Sequence, residues 1–222
     1  MTIEVETKDC STVSDAELVE MAELCADSPN AFKKKLLSQQ TEQWVLLTIA
    51  SEARRICGFS FCSLERIGGT PSLLVGAAHI CRNTKRDVIL RTMLTDQWRR
   101  AVLAFPDEDV LLGTQINDPG ALEAYKTLTD IIPRPNHKAS GEQRAWGRRL
   151  AKRFGIGPSR YEDRAFTVRG AGNPAIVLDF ASATPETMPE DVRAQFLELD
   201  KVAGDTLIVF GWAMLEDLEQ LL

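Results

Sequence analysis

The sequence predicts an α/β (α+β) protein with a mixed, mostly antiparallel central sheet flanked by helices. A short strand and two amphipathic helices come first, three extended apolar runs follow, and a long helix then leads to another strand. Extended runs joined by short polar turns favour antiparallel pairing, whereas a strand, a crossover helix and a second strand favour parallel pairing. The order of the patterns therefore predicts one core that contains both kinds of pairing.

The sequence pattern of residues 3–40 predicts one strand and two helices. Ile3–Thr7 alternates apolar and polar residues, as a half-buried strand does. Ser14 and Glu17 have the spacing of a capping box, in which each side chain bonds the backbone N–H of the other residue, so a helix begins there. A second helix is predicted over Ala31–Gln40, with Asn30 as its cap.

Residues 44–129 predict four strands and two helices. The first two extended runs are separated by a polar turn and form a hairpin, and a Gly-Gly turn leads into the third. Apolar residues at helical spacing from Leu90 to Phe105 indicate a long helix, and a proline opens a shorter one over Pro119–Thr129. The predicted strands are Trp44–Ser51, Ile56–Ile67, Ser72–Cys81 and Asp109–Ile116.

We divide the chain into a core of residues 1–132 and a C-terminal segment of residues 133–222, which packs on the core or completes its sheet. The division follows a change in composition after a proline-rich loop at residues 133–137. The segment predicts a helix capped by Ser140 and ending at Gly155, because Ser140 and Gln143 have capping-box spacing. The later elements predicted are a hairpin of Tyr161–Val168 with Ala175–Phe180, a helix over Pro189–Asp200, a strand over Asp205–Trp212 and a helix over Ala213–Leu222.

The amino-acid composition excludes several classes of protein. The chain has 222 residues, 44% hydrophobic and 26% charged, which excludes disordered, collagenous and coiled-coil proteins. Its net charge of -6 argues against a nucleic-acid binder, and no apolar run approaches the roughly 20 residues that span a bilayer. Five cysteines without a Cys-x-x-Cys pair and an acidic N-terminus indicate a cytoplasmic protein. Two histidines without further ligands at suitable spacing predict no metal site.

Three stretches carry a resemblance to a known family. Gly58-Phe59 opens the second strand of the hairpin, Ile80–Leu94 joins a strand to the long helix, and Asp118 precedes Tyr125 with Ala121 between them. Within residues 3–128, these stretches resemble the GCN5-related N-acetyltransferases, which transfer an acyl group from acyl-coenzyme A to an amine. The resemblance implies an acyl-CoA N-acyltransferase-like fold, acetyl-CoA or another acyl-CoA as co-substrate, and a small-molecule or protein amine as acceptor.

The family binds the coenzyme pyrophosphate at an Arg/Gln-x-x-Gly-x-Gly/Ala turn, where backbone N–H groups at a helix N-terminus face the anion. The sequence lacks both glycines. With Lys85 in the Arg/Gln place, Val88 and Leu90 occupy the glycine positions, whereas a register from Arg82 puts Lys85 and Asp87 there. A basic cluster remains, which either binds phosphates or is a solvated helix end. The residues predicted to bind the coenzyme are Arg82, Lys85, Arg86, Asp87, Val88 and Asp118, with Arg91 beside them.

The resemblance also implies catalytic residues. Tyr125 has the spacing of the family tyrosine that protonates the leaving thiolate; its alternative role is packing. His79 is the candidate base for the amine and Glu65 the second candidate, against alternatives as a hydrogen-bonded structural histidine and a surface carboxylate. His79 and Cys81 lie two apart and share a face of their strand, but no third group orients them as a nucleophile pair.

Charge is segregated along the chain. Residues 134–164 carry a net charge of +6, most of it on the helix after Ser140. Such a face binds an acidic partner or is solvated, and no pattern accompanies it that is typical of nucleic-acid binding. Two functions therefore remain open: an acyl-CoA-dependent N-acyltransferase, and a degenerate member of the fold that binds an acidic partner through this basic helix.

Overall fold

A mixed β-sheet forms the centre of the molecule. The computed structural model describes residues 2–170, 174–185 and 188–220. The strands within these residues are β1 (Glu4–Asp9), β2 (Leu46–Glu52), β3 (Arg55–Ile67), β4 (Thr70–Ile80), β5 (Val110–Ile116), β6 (Thr129–Ile132), β7 (Tyr161–Glu162), β8 (Thr167–Val168), β9 (Leu178–Asp179) and β10 (Thr206–Ala213).

Helices cover both faces of the sheet. The α-helices are α1 (Asp15–Leu24), α2 (Lys34–Gln43), α3 (Arg86–Ala104), α4 (Gly141–Arg153), α5 (Glu190–Leu197) and α6 (Leu215–Glu219). Short 3₁₀ helices span Cys10–Thr12, Pro119–Tyr125 and Pro158–Arg160. Within the described residues, no helix is long and apolar enough to cross a bilayer.

The strand order is β1-β2-β3-β4-β5-β10-β8-β7, with β6 paired to β10 and β9 paired to β4. Neighbours from β1 to β4 are antiparallel, β4 and β5 are parallel, and β10 is antiparallel to β5. The crossover connection that a parallel pair requires contains α3, as the sequence pattern predicts. The predicted fold class, a mixed and mostly antiparallel sheet flanked by helices, is confirmed.

Two apolar layers enclose the sheet. On one face, α3 packs through Ile89, Met93 and Ala101 against the alternate side chains of the central strands. On the other face, α1, α2 and α4 contribute Met21, Leu37 and other side chains to a second buried cluster. Because both faces are covered, β4 and β5 are buried along almost their whole length, which explains their nearly continuous apolar sequence.

The second helix begins three residues later than predicted. Asn30 is buried and bonds to distant side chains, so it is not available to cap a helix at Ala31. Lys33, with extended backbone dihedrals of φ -72° and ψ 153°, precedes the first turn instead. At the other end the helix continues to Gln43, where the Trp44 indole N–H donates to the Gln40 side chain at 3.0 Å.

The helix predicted over Pro119–Thr129 is wrong in its second half. The first turns are a 3₁₀ helix that ends at Tyr125, and Thr129–Ile132 is strand β6, paired with β10. Pairing with β10 supplies backbone hydrogen bonds that a local helix would otherwise make. Sequence periodicity does not report such a distant partner.

The hairpin predicted between Tyr161–Val168 and Ala175–Phe180 is also wrong. Tyr161–Glu162 pairs with Thr167–Val168, and Leu178–Asp179 instead joins β4 as a parallel neighbour. Residues 171–173 of the predicted turn lie outside the described residues. Part of the predicted run Ala175–Phe180 does form a strand, but its partner β4 lies about 100 residues earlier in the chain. Local sequence patterns carry no information on pairing over that distance.

The remaining C-terminal elements follow their predicted order. The basic helix begins at the predicted capping box, with Ser140 accepting from the Gln143 N–H at 3.1 Å. The helix predicted over Pro189–Asp200 is α5, and the last strand is β10, which lies beside β5 in the sheet. The terminal helix is shorter than predicted and spans Leu215–Glu219; residues 221–222 lie outside the described residues.

Candidate functional site

A cleft opens between the parallel strands β4 and β5. Their pairing begins at Ser72 with Leu111, and the last paired residues are Val75 and Thr114. Beyond this point β4 continues to Ile80, so its edge needs another hydrogen-bonding partner. In the GCN5-related N-acetyltransferases, the opening between the fourth and fifth strands holds the pantetheine arm of acyl-CoA.

The chain fills the cleft with its own residues 177–182, which we call the cleft segment. Leu178 and Asp179 pair with Ala78 and His79 in parallel, and the Ala78 N–H donates to the carbonyl of Val177 at 3.0 Å. The side chains from Val177 to Phe180 are buried. The cavity that remains beside Leu178 measures about 10 Å³, which is room for about one water molecule.

Asp179 is the centre of a buried polar cluster. Its carboxylate lies 2.6 Å from Nδ1 of His79 and accepts hydrogen bonds from the Ser28 hydroxyl, from Asn30 Nδ2 at 3.2 Å and from Arg82 Nη2 at 3.2 Å. Burial alone would raise the pKa of Asp179, but the hydrogen bonds from His79 and Ser28 outweigh it and lower the pKa to about 2. The aspartate is therefore held as a carboxylate in the interior.

Two asparagines extend this cluster to the end of β5. Asn117 Nδ2 donates to Asn30 Oδ1 at 2.7 Å, and Asn30 Nδ2 lies within 3.3 Å of Asn117 Oδ1. Asn30 thus contacts both the residue that follows β5 and the aspartate of β9. The cluster joins the loop before α2 to both strands that border the cleft.

Arg86, the first residue of α3, also holds the cleft segment. Its Nη1 donates to the carbonyls of Ala181 at 3.3 Å and Ser182 at 3.4 Å, and its Nε donates to the carbonyl of Asn83 at 2.8 Å. The guanidinium predicted to bind coenzyme phosphate therefore binds backbone oxygens of this chain. These bonds fix the backbone of the cleft segment beside the helix start.

The other predicted phosphate ligands are placed around the same helix start. Because α3 begins at Arg86, the loop before it matches the register that starts at Arg82. Lys85 forms an ion pair with Glu52, and Arg82 bonds to the buried aspartate described above. Asp87 lies in the first turn of α3 and Val88 is 42% exposed on the helix surface. The cations are brought together, but three of them already have anionic or carbonyl partners.

Tyr125 lies at the end of the 3₁₀ helix and is completely buried. Its hydroxyl donates to the carbonyl of Val209 in β10 at 3.3 Å, and burial raises its pKa well above the ordinary value. Asp118 accepts from the Gly120 N–H at 2.8 Å and so caps the same helix. Both residues have structural partners in this arrangement.

Gly120 marks the close approach of the 3₁₀ helix to the cleft segment. A Cβ atom at this position would lie 2.6 Å from the Ser182 nitrogen and 3.1 Å from the Phe180 carbonyl oxygen. Since both are backbone atoms, a side chain would force the two elements apart. Glycine is therefore required for the cleft segment to stay in place.

Glu65, the second candidate base, lies in β3 away from the cleft cluster and forms an ion pair with Arg153 of the basic helix. Its two carboxylate oxygens accept from Arg153 Nε, each at 2.9 Å, and the Arg153 guanidinium lies 4.9 Å from the centre of the Trp44 ring. Arg148 pairs with Asp163 on the same surface. Part of the positive charge of α4 is thus matched by acidic residues of this chain.

Sequence reasoning missed Asp179, Ser28 and Asn30. The signal for Asp179 was present, since a single carboxylate interrupts the apolar run Val177–Phe180. A charged residue inside a strand-like apolar run must find a partner when it is buried. His79 shows the same pattern in β4, and the two prove to be partners.

Three features identify the fold: β4 and β5 pair in parallel, they diverge after a few residues, and α3 lies between them in the chain. The fold is similar to that of the GCN5-related N-acetyltransferases. The sheet from β1 to β5 and the helix between the fourth and fifth strands have the order that the resemblance implies. The cleft segment is a departure from that resemblance.

Comparison with known proteins gives structural matches alone. No protein-family model matches the chain, and no curated protein matches its sequence. Ard1 from Thermoplasma volcanium is 12% identical over 58% of this chain and 86% of its own, with a TM-score of 0.42. An acyl-CoA N-acyltransferase from Pseudomonas aeruginosa is 11% identical over 60% and 93%, with a TM-score of 0.41. IAA acetyltransferase from Bacillus cereus is 11% identical over 59% and 80%, with a TM-score of 0.40.

Proposed function

We propose that this chain is a non-catalytic binding module built on an acyltransferase fold. The observation that carries the proposal is the pairing of Leu178 and Asp179 with β4 inside the cleft between β4 and β5. An acyl-CoA donor seated as the resemblance implies would need this space. In the module, the chain itself satisfies the strand edge that the donor would have used.

Energetics support the proposal. Burial of a large apolar side chain stabilises a fold by about 1.5–3 kcal/mol, and the cleft segment buries Val177, Leu178 and Phe180. A donor would have to displace them together with the carboxylate of Asp179. If the filled state is favoured by about 4 kcal/mol, donor affinity falls roughly a thousandfold.

The positions of the predicted catalytic and phosphate-binding groups point the same way. Tyr125 directs its hydroxyl to a β10 carbonyl, His79 is bonded to Asp179, and Arg86 holds the backbone of the cleft segment. His79 and Arg86 thus bond to the cleft segment itself, and Tyr125 bonds to the neighbouring strand β10. An acyltransferase would require all three to exchange these partners before a donor could bind.

For the module, we propose an acidic partner that binds to the exposed cations of α4. Arg148, Arg149 and Lys152 are exposed on this helix, and Arg149 lies over the Trp146 ring at 4.7 Å. Residues 134–164 keep their net charge of +6, although the whole chain is at -6. Such segregation favours association with an acidic surface at low ionic strength.

The decisive experiment measures coenzyme binding by the full chain. Thermal unfolding and titration calorimetry with coenzyme A and acetyl-CoA at millimolar concentration should show neither a shift nor heat of binding. A donor at a hundred times its dissociation constant would stabilise the protein by about 2.7 kcal/mol, which shifts the unfolding midpoint by several degrees. Micromolar binding by the unaltered protein would overturn the proposal.

A gated acyltransferase is the second candidate, favoured by the cluster of Arg82, Lys85 and Arg86 at the start of α3. Phe180→Ala loosens the cleft segment, whereas Phe210→Ala removes an equally buried ring in β10 outside the cleft. If coenzyme A binds at least tenfold more tightly to Phe180→Ala than to Phe210→Ala, the cleft segment is a gate. Absence of binding to both variants supports the module.

A further inference from the structure

Cys57 and Cys81 are neighbours on adjacent strands at the end of the cleft. Cys57 lies in β3 and Cys81 directly follows β4, where Gly58 and Ile80 are paired. The Cys81 N–H donates to the carbonyl of Cys57 at 2.9 Å, so the two residues face each other across the ladder. Because directly opposite residues of an antiparallel pair point to the same face of the sheet, with Cβ atoms about 4.5–5.5 Å apart, the two thiols are neighbours.

The two thiols differ in accessibility. Cys57 is 7% exposed, and its Sγ also lies 3.4 Å from the carbonyl oxygen of Ala50. Cys81 is half-buried and open to solvent beside the loop that precedes α3. A reagent in solution therefore reaches the Cys81 thiol before the more deeply buried Cys57 thiol.

The surroundings favour the thiolate of Cys81. The hydrogen bond from Cys57 lowers its pKa most, burial opposes this, and the Asn83 backbone N–H and the charge of Arg86 lower it further. Glu52, which is paired with Lys85, raises it slightly, and the resulting pKa is about 7. The pKa of Cys57 is raised by the same hydrogen bond and by burial, so Cys57 remains a thiol.

We propose that Cys57 and Cys81 form a reversible redox pair that hydroperoxides oxidise to a disulfide. The inference is independent of the proposed binding function. It rests on a solvent-accessible thiol that has a buried second thiol directly opposite it on the neighbouring strand.

The chemistry proceeds in two balanced steps. The Cys81 thiolate attacks one oxygen of hydrogen peroxide and the O–O bond breaks; the leaving hydroxide takes a proton from solvent, and Cys81 becomes a sulfenic acid. The Cys57 sulfur then attacks the Cys81 sulfur, the S–O bond breaks, and hydroxide leaves as water with the Cys57 proton. The two cysteines lose two electrons and the peroxide is reduced to two waters.

The other cysteines provide an internal comparison. Cys10, Cys25 and Cys62 are buried, and burial raises the pKa of Cys10 and of Cys62 to about 12. The pKa of Cys25 is also raised, chiefly by burial. As neutral thiols without solvent access, all three should remain unreacted while the protein is folded.

The test uses the full-length protein and hydrogen peroxide. After brief oxidation, the protein is denatured, alkylated and digested, and mass spectrometry should find the peptides of Cys57 and Cys81 linked, with a loss of about 2 Da that dithiothreitol reverses. Cys57→Ala should stop at the sulfenic acid of Cys81, which dimedone traps. Cys81→Ala should show no rapid oxidation. Absence of the linked peptide, or oxidation of Cys81 no faster than that of Cys62, would refute the pair.

A second measurement tests whether the Cys57 thiol lowers the pKa of Cys81. The rate of Cys81 alkylation by iodoacetamide should be half-maximal near pH 7, and Cys57→Ala should move this midpoint upward because the hydrogen-bond donor is lost. Cys57→Ser keeps a donor of similar size and should lie between the two, and it replaces the alanine variant if that variant does not fold. A midpoint near 9, the ordinary value, in the unaltered protein would contradict the proposal.

Discussion

Nδ1 of His79 lies 2.6 Å from a carboxylate oxygen of Asp179, and the two side chains are 3% and 2% exposed. The residues are 100 positions apart in the chain. They meet because β9 occupies the edge of β4 beyond the point where β5 diverges. This contact links the C-terminal segment to the core and closes the cleft that the fold would otherwise present.

Asp179→Ala should destabilise the protein by about 3–5 kcal/mol, because removal of one partner leaves the other groups of a buried polar cluster without compensation. Urea unfolding followed by tryptophan fluorescence measures the change. Asp163→Ala is the matched control; it breaks the exposed pair with Arg148 and should cost less than about 1 kcal/mol. Equal losses in the two variants would mean that the buried cluster contributes no more than a surface pair.

Acid should weaken the protein partly through Asp179. Its folded pKa of about 2 lies below the ordinary 3.8, so its contribution is complete above about pH 4 and is lost as the pH falls through 2. A shift of this size corresponds to about 2 kcal/mol. The free energy of unfolding of the parent, measured from pH 5 to pH 2, should fall by that amount more than that of Asp179→Asn. If the free energies of unfolding of the parent and of Asp179→Asn fall equally with pH, the lowered pKa of Asp179 is refuted.

Gly120→Ala should disturb the cleft segment, since the added carbon would lie 2.6 Å from a backbone nitrogen. We expect a loss of at least about 2 kcal/mol, in the range of overpacked sites. Gly141→Ala is a suitable comparison because nothing lies within 4 Å of its added carbon and alanine favours the first turn of α4. Thermal unfolding of the two variants should therefore shift in opposite directions.

Tyr125→Phe tests whether the hydroxyl has more than a structural role. The substitution should lower the free energy of unfolding by about 1 kcal/mol, because it removes the hydrogen bond to the carbonyl of Val209. Chemical denaturation measures this loss, and the fold should remain intact because the ring is retained. If an acyl-transfer activity were found with any amine and this variant abolished turnover, the packing role would be refuted.

The basic helix should bind acidic polymers in a salt-dependent manner. Retention on immobilised poly-glutamate at low ionic strength should be lost when Arg149 and Lys152 are both changed to Glu, and high salt should release the parent. The control changes Lys33 and Lys35 to Glu, the same charge difference on the exposed start of α2. If both double variants lose retention equally, the effect is one of net charge and not of this helix.

Local physics explains which parts of the candidate site could be predicted. The cluster of Arg82, Lys85 and Arg86 is recognisable in the sequence because it adjoins the start of a long helix with a buried apolar stripe. Its partners were not, because Glu52, Asp179 and Ala181 come from distant parts of the chain. Cys57 and Cys81 were visible as residues in apolar strands, but their contact depends on the register of β3 with β4.

The sequence by itself determined the fold class, most of the order of the elements and the capping boxes at Ser14 and Ser140, because periodicity and caps act over a few residues. Only the tertiary structure decided that Leu178–Asp179 enters the sheet beside β4 and that Tyr125 bonds to β10. Any exposed strand edge can accept a new strand. The edge of β4 is available to Leu178–Asp179 only because β5 diverges from β4 after Val75 and Thr114. No local pattern contains that information, so whether the cleft was open or filled could be learned only from the folded chain.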